Sequence, residues 1–430
     1  MSAAPSDGQP PRPSGTEPGE APNSLVAFGL LWFAYFATVG MFNPYAPLWF
    51  KSLGLSTLAI GAMSSLQAWT RLLAPYAWSW LADHSGQRVG LIRWAARGTL
   101  AASFGLLLLA GLQAWGGAPP WLTGVAAVAV LVALLFIANG GIVPLAEAAL
   151  AQRLAVGSSI DAGRYGRIRV WGSLGFIAAV GLAGVLLQWL DIFAFPLLVV
   201  ALNIGLVAAA NRLPRQIEHE ALSAAAPTVW PQLRRPEVAW FLASVFFTVL
   251  AHVSVYAFLS LFLDSLGYGK SAVGALWAVS VACEVVFFLL QGRFFGRWSP
   301  HRWLMAAAGA AALRFALTAA AGQWVWWLVL AQATHALTFA AHHAACIALI
   351  SRYFPGRLRG RGQALYSALG YGFSGLVGGL GGGWLIEQLG FSAVFWASAL
   401  SALLALVCVW VSARAAGHGH TGRSRRPLPG

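Results

Sequence analysis

The chain has 430 residues, of which 59% are hydrophobic and only 9% are charged. This composition is too apolar for an ordinary soluble domain and indicates a protein that lies in a lipid bilayer. The 27 Lys and Arg residues against 13 Asp and Glu residues give a formal net charge of +14, which alone could suggest nucleic acid. The distribution of the cations argues against a nucleic-acid partner, because nearly all are arginines on one side of the predicted membrane spans.

Apolar runs divide the chain into twelve predicted transmembrane helices. A helix needs about 20 apolar residues to cross roughly 30 Å of hydrocarbon, and each run is close to that length. The predicted spans are 25–50, 56–82, 90–112, 120–150, 166–188, 192–211, 237–263, 271–297, 303–321, 324–350, 362–388 and 391–413. We therefore predict an all-α membrane protein of twelve transmembrane helices.

The longest polar stretch lies between the sixth and seventh spans, from Asn211 to Glu237. It separates two sets of six helices, so we expect two six-helix bundles. The predicted domains are a disordered cytoplasmic tail (1–23), an N-terminal bundle (24–211), a cytoplasmic linker (212–236), a C-terminal bundle (237–413) and a cytoplasmic tail (414–430).

The basic residues between the spans predict an orientation. Arginines lie in the even-numbered connections, whereas the only two lysines, Lys51 and Lys270, lie in odd-numbered ones. By the positive-inside rule, both termini are cytoplasmic in an inner (plasma) membrane of bacterial type. The odd-numbered connections are too short for an extracellular ligand-binding domain or a catalytic domain, so we expect neither enzyme activity nor a cofactor.

Cysteine and histidine spacing predicts no metal site. His335 and His342 share a helix face, with His343 beside them, but no Cys or acid accompanies them. The three cysteines lie in hydrophobic runs without a C-x-x-C or C-x-x-H pair, and we expect free thiols at Cys283, Cys346 and Cys408.

The loop after the second span reads Asp83-His84-Ser85-Gly86-Gln87-Arg88. It resembles the signature of the major facilitator superfamily, Gly-x-x-x-Asp-(Arg or Lys)-x-Gly-(Arg or Lys)-(Arg or Lys). Asp83, Gly86 and Arg88 match it. Three positions depart from it: Ser79, His84 and Gln87. The acid could pair with inner-face cations in one conformation and release them in another, which would make the loop a conformational switch. A capped turn is the alternative interpretation.

Three longer stretches carry a more specific resemblance. They are Asn43–Trp49 at the end of the first span, Gly163–Phe176 at the start of the fifth, and Phe354–Ala364 before the eleventh. They are similar to the corresponding segments of the phenylpropionate permease group, which is lactose permease-like, within the major facilitator superfamily. The resemblance covers essentially the whole chain after the first tail, and it implies a proton symporter.

Five charged side chains are predicted inside the membrane: Arg71, Glu147, Arg169, Glu284 and Arg314. Such residues are costly in lipid and usually face a cavity. A rise of 1.5 Å per residue places Glu147 level with Arg169 on neighbouring helices. The same arithmetic places Glu284 level with Arg314, so each half is predicted to hold its own acid and base. Ion pairs that only fix helix register are the alternative.

The resemblance implies roles for several of these residues. Glu147 and Arg169 match residues that hold substrate, and Phe176 stands where an aromatic side chain stacks on it. Glu284, Arg314 and His335 match a proton-coupling site. Two positions depart from that site, since Thr338 replaces a glutamate and Gln332 replaces a lysine, which leaves Glu284 or His335 as the proton carrier.

Further substrate contacts are predicted from position alone. Trp69 and Trp171 are placed to line a cavity, and Arg71 has no assignable acid and could bind a substrate anion. A structural, hydrogen-bonded arginine is the alternative for Arg71.

These observations predict a transporter that works by alternating access, with proton-coupled uptake of a small organic solute. Three intramembrane arginines against two glutamates favour an organic anion, such as an aromatic carboxylate. The alternatives are a sugar or nucleoside symporter, a proton-driven exporter and a non-transporting membrane sensor. We expect a monomer whose partners are substrate, proton and lipid.

Overall fold

The computed structural model describes residues 23–116, 119–156, 159–214 and 228–423. Within them, the chain forms twelve long helices, as predicted. In chain order these are α1 Asn23–Ser52, α2 Thr57–Ser85, α3 Arg88–Trp115, α4 Val125–Arg153, α5 Ala162–Leu190, α6 Phe195–Asn211, α7 Pro236–Ser265, α8 Lys270–Leu290, α9 Pro300–Ala321, α10 Val325–Tyr353, α11 (359–389) and α12 Phe391–Arg423.

Short elements join or interrupt these helices. A short β-hairpin connects α4 to α5, and its two antiparallel strands are Ala155–Val156 and Ser159–Ile160. Single helical turns are Pro120–Thr123, Ile192–Ala194, Trp230–Leu233, Gln291–Arg293, Phe295–Arg297 and Gly356–Leu358. Helix α4 is interrupted between Asn139 and Ile142, at two glycines.

Helices α10 and α11 each contain a π-helical segment. It spans Ala336–Ala341 in α10 and Ala368–Phe373 in α11. Such segments often occur at functional sites, because the extra residue per turn redirects the side chains that follow.

The two predicted tails and the predicted linker fall largely outside the described part of the chain. Residues 1–22, 215–227 and 424–430 belong to the predicted tails and linker and are not described. The start of the predicted C-terminal tail is an exception, because α12 continues to Arg423 rather than ending near residue 413.

Ten of the twelve helices are long and apolar enough to cross a membrane. The other two described long helices, α2 and α11, pack against each other. A side chain on Gly61 of α2 would collide with the carbonyl of Gly379 on α11, and one on Gly383 would meet the carbonyl of Thr57. The small residues that permit this close backbone contact also lower the hydropathy of α11.

The helices pack as two bundles. In the first half α1 contacts α5 and α6, and α3 contacts α4 and α6; in the second, α12 contacts α7 and α9. The halves meet through α2 with α11 and α5 with α8.

Polar contacts between the halves cluster at the end of the molecule where α1 turns into α2. Nζ of Lys51 lies 2.7 Å from Oδ2 of Asp264, and the amide of Leu58 donates to Oε1 of Glu387 over 3.0 Å. The hydroxyl of Tyr45 lies 3.4 Å from the carbonyl oxygen of Lys270. These contacts hold the two bundles together at this end.

Candidate functional site

Arg169 on α5 lies against two aromatic rings of α1. Its guanidinium carbon is 4.4 Å from the ring centre of Phe36 and 5.1 Å from that of Trp32. Gly172, one turn further on, makes room for this arrangement, since a Cβ there would lie 2.7 Å from Phe36 and 2.9 Å from Nη1 of Arg169. Among the described residues, the guanidinium has no hydrogen-bond acceptor.

One acid from each half interacts electrostatically with Arg169. Glu147 on α4 interacts electrostatically with Arg169 and also lies near the hydroxyl of Tyr165. Glu284 on α8 and His343 on α10 interact with Arg169 from the second half. Neither acid forms a direct salt bridge with Arg169 in the described part of the chain. Glu147 and Arg169, which were predicted to lie at the same depth on neighbouring helices, therefore share a site without direct contact.

Arg314 on α9 is held by three neutral side chains of α10. Nη1 donates to Nδ1 of His335 over 2.9 Å and to Oγ1 of Thr338 over 3.0 Å. Nη2 donates to Oε1 of Gln332 over 2.9 Å. The arginine is 1% exposed, so these bonds compensate a cation that is removed from water.

Glu284 contacts His335 rather than Arg314. Nε2 of His335 lies 3.8 Å from Oε2 of Glu284. The direct pair of Glu284 with Arg314 that helix arithmetic predicts is therefore not found between these two described residues. His335 comes from a third helix and lies between them, which depth along two helices cannot reveal.

The two departures from the permease pattern have a structural role. Thr338 and Gln332 supply acceptors to Arg314 at the two positions where the permease pattern has charged side chains. Each is held in turn, because Thr338 lies 3.2 Å from Nε2 of His252 and Gln332 accepts from Ser280 over 2.7 Å. Neutral side chains thus bind Arg314 at positions where the permease pattern has charged ones.

The rings that lie against Arg169 among the described residues are those of Trp32 and Phe36, not the predicted Phe176, Trp69 or Trp171. Phe176 is 8% exposed, and its ring centre lies 6.2 Å from that of Trp277. Trp69 and Trp171 are about half-exposed. The side chain of Arg71 lies outside the described residues.

The loop after α2 forms a capped turn. Gly86 has φ +61, and its amide donates to the carbonyl of Ala82. Asp83 accepts from Nη2 of Arg88 over 3.2 Å. The structure thus brings Asp83 and Arg88 together, while their role as a switch stays a prediction.

A cavity of about 210 Å³ lies between the halves, and amide side chains line it. Nε2 of Gln67 on α2 donates to Oδ1 of Asn43 on α1 over 3.3 Å, and both residues face this cavity together with Tyr256 and Tyr371. Sequence reasoning missed the amides. Their presence within apolar runs was the available signal, since polar side chains inside a membrane usually face a cavity.

Among the described residues, no group of three or more His, Cys, Asp or Glu side chains could hold a metal ion. The cysteines Cys283, Cys346 and Cys408 are free thiols.

Known proteins resemble this chain over most of its length. The model of the MFS_1 like family matches residues 25–397. The chain is 30% identical over 389 residues to a probable 3-phenylpropionic acid transporter of Escherichia coli (strain K12). This alignment covers 87% of this chain and 94% of that protein. It is 29% identical over 388 residues to the maltose permease of Geobacillus stearothermophilus, covering 86% of this chain and 90% of the permease.

Solved structures share the fold at low sequence identity. A mutant of the nucleoside transporter NupG matches with a TM-score of 0.78 and 18% identity, covering 90% of this chain and 99% of that one. A POT family transporter in complex with 5-aminolevulinic acid matches with a TM-score of 0.70 and 12% identity, covering 92% and 97%. At these identities the likeness shows the arrangement of helices alone.

Proposed function

We propose a substrate class and a driving force for this chain, which belongs to the MFS_1 like family of major facilitator transporters. It is a multi-pass membrane protein and a secondary transporter of small solutes, not an enzyme. The proposal is proton-coupled uptake of an organic carboxylate, with an aromatic acid favoured.

One observation carries the substrate class. In the described part of the chain, Arg169 has aromatic faces beside it but no hydrogen-bond acceptor, whereas Arg314 is already bonded to three side chains. A guanidinium presents a planar set of donors that matches a carboxylate, so a substrate carboxylate suits Arg169. Phe36 would then pack against the apolar part of the solute. The name of the E. coli relative, a probable 3-phenylpropionic acid transporter, supports the same class.

Competition for Arg169 supplies a coupling mechanism. Glu284 interacts with Arg169 across the two halves. An ionised Glu284 would compete with a substrate carboxylate for the arginine, and a protonated Glu284 would not. Proton binding to Glu284 would therefore favour substrate binding at Arg169, and release of one would favour release of the other.

A neutral sugar is the second candidate. The maltose permease relative and the amide side chains of Asn43 and Gln67 support it, because amides suit hydroxyl groups. In that case Glu147 and Arg169 would hydrogen-bond hydroxyls rather than a carboxylate. Nucleoside symport and proton-driven export remain alternatives of the same fold.

We also propose that the protein is a monomer in the inner membrane with both termini in the cytoplasm. The positive-inside distribution of arginines supports this orientation. The end of the molecule at which Lys51 contacts Asp264, called the closed end from here on, would then face outward.

The test is a thermal-shift screen of the purified transporter against aromatic acids, sugars and nucleosides, followed by uptake into proteoliposomes under an imposed pH gradient. A ligand that binds only the folded state raises the unfolding temperature. We expect stabilisation by phenylpropionate and acid-driven uptake. Stabilisation by maltose alone would move the assignment to the sugar.

A further inference from the structure

Two amide side chains join α1 to α2 at the wall of the cavity between the halves. Nε2 of Gln67 donates to Oδ1 of Asn43 over 3.3 Å, and this is the one side-chain hydrogen bond that either amide makes among the described residues. An amide carries a donor nitrogen and an acceptor oxygen. Nδ2 of Asn43 and Oε1 of Gln67 are therefore left without a partner in the described part of the chain.

The count of free groups does not depend on how the two amides are turned. If both are turned over, Nδ2 of Asn43 donates to Oε1 of Gln67, and the free atoms become Oδ1 of Asn43 and Nε2 of Gln67. Either arrangement leaves one donor and one acceptor side by side on neighbouring helices.

Both free atoms keep accessible surface. Among the described residues, the polar side-chain atoms that are buried without a partner belong to other residues, such as Trp49 and Trp277. Asn43 and Gln67 are half-buried, and both line the cavity of about 210 Å³ between the halves and a chamber of about 380 Å³ in the first half. A small molecule inside the protein can therefore reach the pair.

The second half supplies the opposite wall of the cavity between the halves. Val253 and Tyr256 of α7, Phe339 of α10 and Tyr371 of α11 line it. A solute group bound to the amide pair thus lies between the two halves, where secondary transporters hold their substrates.

The pair matches a neutral group that both donates and accepts a hydrogen bond. An ionised carboxylate only accepts and an ammonium group only donates, so each would leave one atom of the pair unmatched. A hydroxyl and a carboxamide do both. The hydroxyl is the smaller group, and it suits a cavity of about 210 Å³, since small-molecule pockets usually have roughly 300–1,000 Å³.

We propose that the Asn43–Gln67 pair binds a hydroxyl group of the transported solute and makes the transporter selective for hydroxylated acids. This inference rests on the proposed uptake of an organic carboxylate and narrows the substrate to acids that also carry a hydroxyl. The hydroxyl donates to the free carbonyl oxygen of the pair and accepts from its free amide nitrogen. It brings no charge among the apolar side chains of the cavity.

The test measures the binding of phenylpropionate and of ortho-, meta- and para-hydroxyphenylpropionate to purified full-length transporter by isothermal titration calorimetry. The three isomers place the hydroxyl at different distances from the carboxylate, so the comparison measures the spacing that the site accepts. At least one isomer should bind at least tenfold more tightly than phenylpropionate. The methyl ether of that isomer cannot donate a hydrogen bond and should lose this preference.

Two variants test the amides themselves. Gln67→Met keeps the length of the side chain but removes its polar atoms, and the preference for the hydroxylated acid should disappear. Asn43→Leu changes α1 instead of α2, should have the same effect, and covers the case in which Gln67→Met does not fold. Gln323→Met is the matched control and should keep the preference, because Gln323 is exposed between α9 and α10 and does not line the cavity.

The possible failures are distinguishable. Equal affinities of the wild type for all four acids, or a methyl ether that binds as tightly as its phenol, would overturn the role of the pair and leave carboxylate transport standing. A preference kept in folded Gln67→Met or Asn43→Leu would also overturn it, since the pair would then only pack α1 against α2. Binding of none of the acids by folded wild-type protein would overturn carboxylate transport and this inference together.

Discussion

The guanidinium of Arg314 donates a hydrogen bond to Nδ1 of His335 over 2.9 Å. Arginine has only donors, so Nδ1 must be the unprotonated nitrogen and the proton of the neutral ring lies on Nε2. Nε2 faces Glu284 at 3.8 Å. A doubly protonated His335 could not accept from Arg314, so proton uptake at this site falls to Glu284 while the bond is intact.

Thr338 should stabilise the protein through the same arginine. Thr338→Val removes an acceptor of a fully buried guanidinium, and a buried donor left unpaired costs about 1–3 kcal/mol. We expect a lower unfolding temperature in detergent for this variant. Thr338→Ser keeps the hydroxyl and should remain close to wild type; equal destabilisation by both changes would assign the effect to packing.

Arg169 should contact the substrate. Arg169→Lys keeps the positive charge but loses the planar set of donors, so binding of the transported acid should weaken at least tenfold, a loss of about 1.4 kcal/mol. Titration calorimetry measures this change. Arg167→Lys is the matched control, because Arg167 is exposed on the same helix. Unchanged affinity in Arg169→Lys would remove this residue from the site.

The number and depth of the helices followed from the sequence because membrane spans need a fixed apolar length. The side chains that contact each intramembrane charge did not follow from the sequence. Depth placed Glu284 and Arg314 at one level, but His335 reaches between them from α10, where the π-helical segment Ala336–Ala341 directly follows. The amide side chains of Asn43 and Gln67 were also missed, since helices from both halves form the cavity that they line and no single run of sequence shows it.

Close packing of α2 with α11 should keep one end of the transporter closed. A Cβ on Gly379 would collide with Ser65 and the carbonyl of Gly61, so Gly379→Ala should push the halves apart at this end. Spin labels at Ser56 and Ser265 should then report longer distances by double electron–electron resonance. Gly381→Ala is the control on the same helix, because a Cβ there meets nothing within 4 Å. Identical distance distributions in both variants would contradict this role.

The orientation can be tested with the two lysines. Lys51 and Lys270 are the only lysines of the chain, and both belong to the closed end. An amine reagent that does not cross membranes should label the protein in intact cells. Label should be lost when both lysines are replaced by arginine, which keeps the charge. Labelling that requires inside-out vesicles would reverse the topology.

Glu284 should carry the coupling proton, because it is the acid beside the Nε2–H of His335 and it also interacts with Arg169 from the opposite half. Glu284→Gln mimics the permanently protonated side chain, which no longer competes with a substrate carboxylate. This variant should bind substrate and exchange it across the membrane, but it should not accumulate substrate against a gradient. Proteoliposome counterflow measures exchange, and uptake driven by a pH gradient measures accumulation. Glu237→Gln is the control, since Glu237 pairs with Arg235 at the start of α7, away from this site. If Glu284→Gln kept both activities, the proton would have to bind elsewhere, and His335 would become the candidate despite its bond to Arg314.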